Sequence, residues 1–195
     1  GQSEADISHF LSFFNNTSQP PLENSLHNAA LRLEQATEIG DATEEAQALK
    51  ELGLLHLRRV HDYEKAMDFL IRALAIEDSL SLQPQRALTY IAIARVFEVV
   101  GDYFKSAQFL EQALKINEEE RDINALAMIM NGLGKVKASQ GKLDEAFSHY
   151  AVVLKYRDDV DKNFEAEALF NIGHLYTSQG HYAEVLSTHK KALAI

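Results

Sequence analysis

The stretch MNGLGKVKASQGKLDEAFSHYAVVLKY, residues 130–156, decides the fold, because it contains two amphipathic segments separated by a glycine. Apolar residues recur every three or four positions on both sides of Gly141, which predicts a helix before it and another after it. Gly141 is expected to adopt the positive φ that ends the first helix. Gly134 and Ala146 are small, so two helix backbones can approach closely there. The stretch therefore predicts an antiparallel helical hairpin.

The same arrangement recurs about every 40 residues along the chain. An aliphatic residue followed by a small one occurs four times, at Leu52-Gly53, Ile93-Ala94, Leu133-Gly134 and Ile172-Gly173. Turns follow at His61-Asp62-Tyr63, Gly101-Asp102-Tyr103, Gly141-Lys142-Leu143 and Gly180-His181-Tyr182. Each turn precedes a further pair, at Ala73-Leu74, Ala113-Leu114, Val153-Leu154 and Ala192-Leu193. A period this long is typical of a unit that cannot bury its own apolar face and stacks on copies of itself.

These positions give the chain a family resemblance. Residues 130–156 and 169–195 resemble tetratricopeptide repeats (TPRs), with the Leu-Gly, turn, Ala and Ala-Leu positions in the same order. The resemblance extends over about residues 43–195, and the long period resembles the extended repeats of kinesin light chains and bacterial quorum-peptide receptors. It implies an all-α, right-handed superhelical TPR-like solenoid of about five antiparallel helical hairpins. One departure is an extra residue before His61, and another is Lys137 where an aromatic residue is usual.

We expect one solenoid domain over residues 1–195. Its predicted parts are a degenerate N-terminal hairpin at residues 3–39 and repeats at residues 43–80, 84–119, 122–157 and 162–195. The N-terminal hairpin is predicted from a capping-box start and an apolar face, at Ser3, Asp6, Ile7, Phe10, Leu11 and Phe14. Because Leu193 and Ile195 end the chain in apolar register, we expect a fragment of a longer protein, able to self-associate through this end.

Composition excludes several classes of function. The formal net charge of −10 leaves no basic stripe for a nucleic acid, and no apolar run is long enough for a membrane span. With no cysteine, the chain has neither disulfides nor thiol catalysis. The eight histidines show no His-x-x-x-His spacing typical of a metal site, and no phosphate loop or nucleophile elbow occurs. We therefore expect no cofactor, no metal and no catalytic residue.

The resemblance also implies a binding groove, because the first helix of each TPR hairpin lines the concave face of the solenoid. The residues that it implies in this groove are Lys50, Leu54, Ile91, Arg95, Glu98, Asn131, Lys135, Phe170, Asn171, His174 and Thr177. Three of them are cations in an acidic protein, which favours a carboxylate-bearing or phosphorylated ligand. The two asparagine amides are suited to hold the backbone of an extended peptide.

The predicted function is that of a non-enzymatic protein–protein interaction scaffold, which binds a peptide or partner segment in its concave groove. The alternative is a ligand-sensing or regulatory domain of a larger signalling protein, such as a sensor kinase or a transcription regulator. An enzyme is the third hypothesis, and it would need a pocket of convergent polar groups with perturbed pKa values. No such group of residues is evident in the sequence.

Overall fold

The computed structural model describes Phe10 and residues 20–178, and the regular structure of these residues is helical. The α-helices are α1 (Leu22–Ile39), α2 (Ala42–Leu55), α3 (Tyr63–Ser79), α4 (Gln83–Val99), α5 (Tyr103–Glu120), α6 (Ile123–Ser139), α7 (Leu143–Lys155) and α8 (Lys162–Ser178). Phe10 is helical and buried. The other predictions for residues 3–16, and those for Leu193 and Ile195, lie outside the described residues.

Aspartates and glycines at the turns set where the helices begin and end. The side chains of Asp41, Asp62, Asp102 and Asp122 each accept a hydrogen bond from the backbone N–H three residues later, at the start of a helix. These bonds satisfy amides that have no partner inside the helix. Gly141 has the predicted positive φ, 73°, and follows Gln140, the C-cap of α6. The recurring turn sequence therefore corresponds to a recurring helix end and helix start.

The second helices of the hairpins bury residues spaced three and four apart, as their apolar pattern predicts. In α3 these residues are Ala66, Leu70, Ala73 and Glu77, and in α5 they are Ser106, Leu110, Ala113 and Asn117. Each series ends in a polar residue that is nevertheless buried. Such residues need hydrogen-bonding partners inside the fold.

Contacts between helices divide the chain into two compact units, residues 1–100 and 101–195. In the first unit α1 packs on α2, α2 on α3, and α3 on α4. In the second unit α5 packs on α6, α6 on both α7 and α8, and α7 on α8. The arrangement of α6, α7 and α8 places the first helix of one hairpin beside the first helix of the next.

Two glycines allow close helix approach at equivalent positions of the two units. A Cβ atom added to Gly53 would lie 2.7 Å from Cγ of Leu70, and one added to Gly134 would overlap the ring of Tyr150. The close approach that the sequence predicts at Gly134 is therefore present. Leu70 and Tyr150 are both fully buried, and the Cβ atom added to Gly53 would also lie 3.2 Å from the carbonyl oxygen of Ala66.

The extra residue before His61 is accommodated by a π-helical turn. Residues His56–Val60 form this turn at the end of α2, and the backbone N–H of His61 donates to the carbonyl of His56. His61 itself has a φ of 61°, in the left-handed region that Gly101 and Gly141 occupy at the corresponding turns. A π turn holds one residue more than an α turn, so the insertion is absorbed before the next helix begins.

Candidate functional site

Four of the eleven predicted groove residues are buried in helix packing. The exposed fraction is 8% for Lys50, 2% for Leu54, and 0% for Ile91 and Asn131. A ligand on the surface cannot reach side chains with so little exposed area. We therefore leave these four residues out of the proposed contact surface and describe what they do inside the fold.

Lys50 joins three helices of the first unit. Its Nζ lies 2.7 Å from Oε1 of Glu77 in α3 and donates to the carbonyl of Gln85, 3.2 Å away, in the first turn of α4. Thr89 donates to the other carboxylate oxygen of Glu77, at 2.7 Å. Glu77 and Thr89 are 1% and 0% exposed, so the ion pair is shielded from water. Lys50 is thus a buried link between α2, α3 and α4.

Asn131 and Lys135 join α6 to α8 in the second unit. Nδ2 of Asn131 donates to the carbonyl of Phe164, 3.1 Å away, in the first turn of α8. The same nitrogen lies 3.3 Å from Oε2 of Glu167, and Nζ of Lys135 lies 2.6 Å from Oε1 of that carboxylate. Asn131 occupies the same position in its repeat as Lys50, three residues before the small glycine. Both side chains therefore donate to a backbone carbonyl in the first turn of the next hairpin.

Arg95 completes the set of predicted groove cations. Its guanidinium lies 3.5 Å from Oε2 of Glu98, and both side chains are mostly buried within the first unit. Lys50, Arg95 and Lys135 thus all have a carboxylate partner inside the protein. These pairings balance the positive charges on which the predicted preference for an acidic ligand depends.

The remaining predicted residues lie on α8 and are the most accessible of the set. Phe170 is 52% exposed, and its ring meets the ring of His174 edge-on, with centroids 4.5 Å apart. His174 and Thr177 are exposed, and Asn171 is half-buried. Phe170, His174 and Thr177 are four and three residues apart, so they share one face of α8.

The structural roles of Glu77, Thr89 and Glu167 were not predicted from the sequence. Glu77 continues the buried spacing of Leu70 and Ala73, and this signal distinguishes it from a solvated acid. Thr89 and Glu167 carry no comparable local signal, because their partners lie 12 and 32 residues away in sequence. Their roles depend on which helices the fold brings together.

Two histidines have pKa values below the ordinary 6.5 for the same physical reason. Burial lowers the pKa of His56 in the π turn, against the opposing effect of Asp62. Burial also lowers the pKa of His149 in α7, and the nearby Lys137 acts in the same direction. Within residues 20–178 no three histidine, aspartate or glutamate side chains are grouped so as to hold a metal ion. No described helix is long and apolar enough to cross a membrane.

Comparison with known proteins identifies the family. A tetratricopeptide repeat model matches residues 85–159 and, in a second overlapping match, residues 127–195. The chain belongs to the TPR family. The prediction of an all-α, TPR-like repeat fold is confirmed, and TPR repeats generally act as non-enzymatic scaffolds for protein–protein interaction. Among curated proteins, none matches the sequence.

Solved structures show the same TPR-like fold at low sequence identity. BtubC (BKLC) from P. vanneervenii is 16% identical, with a TM-score of 0.66 over 90% of this chain and 91% of that one. A kinesin-light-chain-like protein of Podosopora anserina, with nearly identical TPR-like repeats, is 17% identical, with a TM-score of 0.63 over 99% and 92%. MamA AMB-1 is 18% identical, with a TM-score of 0.51 over 87% and 97%. At such identities the likeness concerns the fold alone.

Proposed function

We propose that this TPR protein is a non-enzymatic scaffold that holds a segment of a partner protein against the first helices of its hairpins. The proposed contact surface in the second unit has Phe170 and His174 at its centre, with Lys135, Asn171 and Thr177 around them. In the first unit the proposed contacts are Arg95 and Glu98. The two patches are proposed separately, one in each unit.

The observation that carries the proposal is the exposed aromatic pair on α8. Phe170 is 52% exposed, whereas the residues at the same position of the other repeats, Lys50, Ile91 and Asn131, are buried. An aromatic ring surrounded by polar groups is the composition typical of the centre of a protein interface. The Lys135–Glu167 ion pair, with both side chains 23% exposed, supplies such polar groups nearby on α6 and α8.

The ion pairs change the kind of partner that the surface favours. Attraction of an acidic segment needs cations whose charge is not already balanced, whereas the predicted groove cations each lie beside a carboxylate. Burial of apolar area on Phe170 does not depend on charge. We therefore propose a partner segment that is anchored by an apolar side chain, with polar contacts at its edges.

Affinity capture from native lysate with two matched variants tests the proposal. Phe170→Ser removes the proposed anchor, and Phe104→Ser removes a more exposed phenylalanine, 72% accessible, from α5 of the same unit. Partners bound through α8 should be retained by the wild-type chain and by Phe104→Ser. Their affinity for Phe170→Ser should be lower by about tenfold or more. Equal retention by both serine variants would rule out Phe170 as the anchor.

A further inference from the structure

One dipeptide at the junction of α6 and α8 combines a buried amide with unusual chemical reactivity. Asn131 is followed by Gly132, and no other asparagine of the 195-residue chain precedes a glycine. Asparagine is a thermolabile residue, and a following glycine has no Cβ atom to hinder attack by its backbone nitrogen on the asparagine side chain. Both residues are buried within α6. The most reactive asparagine sequence of the chain therefore lies inside a helix junction.

Packing against two neighbouring helices accounts for both residues of this dipeptide. Nδ2 of Asn131 donates to the carbonyl of Phe164 at 3.1 Å and to Oε2 of Glu167 at 3.3 Å, both in α8. A Cβ atom added to Gly132 would lie 2.7 Å from Cδ1 of Leu110 in α5, which is too close for a side chain to fit without a shift. The amide thus serves the contact with α8, and the glycine serves the contact with α5.

The folded state holds the reacting atoms apart. The reaction closes a five-membered ring, for which Cγ of Asn131 must lie beside the backbone nitrogen of Gly132. Helical backbone, with a ψ of about −42°, does not bring these atoms together, and it engages the N–H of Gly132 in the helical hydrogen bonds. The side chain of Asn131 is also 0% exposed beneath α8. The ring can therefore close only after α8 has separated from Asn131 and α6 has opened locally.

We propose that Asn131 is a deamidation site that reacts only when the junction of α6 and α8 opens, and that the reaction prevents the junction from closing again. The backbone nitrogen of Gly132 forms a bond to Cγ of Asn131. Nδ2 leaves as ammonia and takes the proton of that nitrogen, which gives a succinimide. One water molecule then opens the ring to aspartate or isoaspartate, with no change of oxidation state.

The product cannot make the contacts of Asn131. An ionised carboxylate has no hydrogen to donate to the carbonyl of Phe164, which is left without this donor. The new carboxylate would also lie beside that of Glu167, where Nδ2 of Asn131 now donates, and like charges so close repel each other. Isoaspartate adds a backbone atom to α6 as well, which interrupts the helical hydrogen bonds. Each opening that ends in reaction is therefore irreversible.

Peptide mapping by mass spectrometry tests where and when the chain deamidates. The full chain is incubated in mildly alkaline buffer, with and without guanidinium chloride. Asn24 is an internal control, because it precedes a serine and is exposed in the first turn of α1. Asn131 should react more slowly than Asn24 in the folded chain, and faster than Asn24 in denaturant. Its own rate should rise about a hundredfold or more on unfolding, because the buried helix must open first.

Two results would overturn the proposal in this experiment. Equal rates at Asn131 with and without denaturant would show that the fold does not control the reaction. A rate below that of Asn24 in denaturant would show that the dipeptide has no special reactivity.

Variants distinguish opening of α8 from general unfolding. In buffer without denaturant, Phe164→Ala removes a side chain that is 2% exposed in α8 and should raise the rate at Asn131 about tenfold or more. Phe104→Ser removes one that is 72% exposed in α5 and should leave the rate unchanged. A rate unaffected by Phe164→Ala, or raised equally by both variants, would overturn control of the reaction by α8.

The effect of the product on the junction is measured by hydrogen exchange of the α8 amides in Asn131→Asp. Asn131→Ile is the matched control, because Ile91 occupies the same repeat position in α4 and is fully buried there. Both variants lack the amide donor, but only one adds a carboxylate beside Glu167. Exchange in α8 should be about tenfold or more faster in Asn131→Asp than in Asn131→Ile. Equal exchange would show that deamidation does not keep the junction open.

Discussion

Two helix junctions use different residues at equivalent positions. One joins α2, α3 and α4 in the first unit, and the other joins α6 and α8 in the second. Both place a buried donor three residues before the close-packed glycine, and both direct it to a carbonyl in the first turn of the next hairpin. The donor is the charged Lys50 in one unit and the neutral Asn131 in the other. These two junctions use a hydrogen-bond donor at this position, whereas the equivalent residues Ile91 and Phe170 carry none, and the charged donor Lys50 has a counter-ion in Glu77.

The two junctions differ most in how far the counter-ion is exposed to solvent. Glu77 balances Lys50 in a site almost without solvent, whereas Glu167 balances Lys135 with both side chains 23% exposed. Loss of one partner from a buried pair leaves an uncompensated charge in a medium of low polarity. When one partner of a partly solvated pair is lost, water solvates the remaining charge. The same substitution should thus have very different consequences in the two units.

The largest effect is expected from Glu77→Ala, which removes the counter-ion of the buried Lys50 and leaves Lys50 and Thr89 with only the carbonyl of Gln85 as acceptor. We expect the free energy of unfolding to fall by about 3 to 5 kcal/mol, the cost of breaking a buried ion pair. Urea denaturation of the variant measures this change. The double variant Lys50→Met/Glu77→Leu should recover most of the loss, because it removes both charges. A double variant as unstable as Glu77→Ala would show that lost packing, and not the charge, sets the cost.

A second comparison concerns the close-packed glycines. Gly134→Leu should lower the free energy of unfolding by about 1 to 3 kcal/mol, because the Tyr150 ring already occupies the space of a Cβ atom. Gly53→Leu should cost a similar amount, since the buried Leu70 and the carbonyl oxygen of Ala66 already occupy the space around its Cβ position. Denaturation midpoints of the two variants provide the measurement. Gly141, with φ 73° and nothing within 4 Å of its Cβ position, is a control in which only the backbone is strained.

The partly exposed ion pair should contribute little to stability. We expect Lys135→Met to change the free energy of unfolding by less than about 1 kcal/mol, because solvent screens Glu167 once its partner is removed. Lys50→Met is the matched variant at the buried junction, and its cost should approach that of Glu77→Ala. Urea denaturation of both variants sharpens the comparison. Equal costs would mean that the exposure of the pair does not control its contribution.

The smallest effect is expected from pH. Because burial lowers the pKa of His56, the unfolded chain takes up a proton more readily than the folded one. Stability should therefore decline as pH falls below about 6.5, the ordinary histidine pKa. The denaturation midpoint of His56→Gln should shift less than that of the wild-type chain between about pH 7.5 and 5.5. An identical shift would assign the pH dependence to other groups, among them His149 in the second unit.

The sequence predicted the repeating helices well and the polar contacts between them poorly. The helix at each side of Gly141, the positive φ of that glycine and the close approach at Gly134 follow from local spacing, and all three are present. Lys50 was assigned to an open groove because its position in the repeat lies on the face that the TPR resemblance places there. Its partner Glu77 lies 27 residues away, on a helix whose facing could be known only from the fold.

For the candidate surface, too, the sequence predicted the face of the helix but not the exposure of its residues. The repeat register placed Phe170 and His174 on the same face of α8, and their ring contact agrees with that placement. The register could not show that Asn131, at the matching position, would be covered by α8 itself. Periodicity indicates which face a residue occupies, but exposure also depends on what packs against that face. Equivalent residues of a repeat can therefore have different roles.

The π turn at His56–Val60 shows how one repeat can hold an additional residue. One residue added inside an α-helix rotates all that follows by about 100°, which would turn the buried face of the next segment toward solvent. Here the added residue is confined to the last turn of α2, and α3 still begins at the capping residue Asp62. The π turn therefore holds the extra residue before the capping residue of α3 is reached. The same turn offers protein engineers a place to lengthen a first helix.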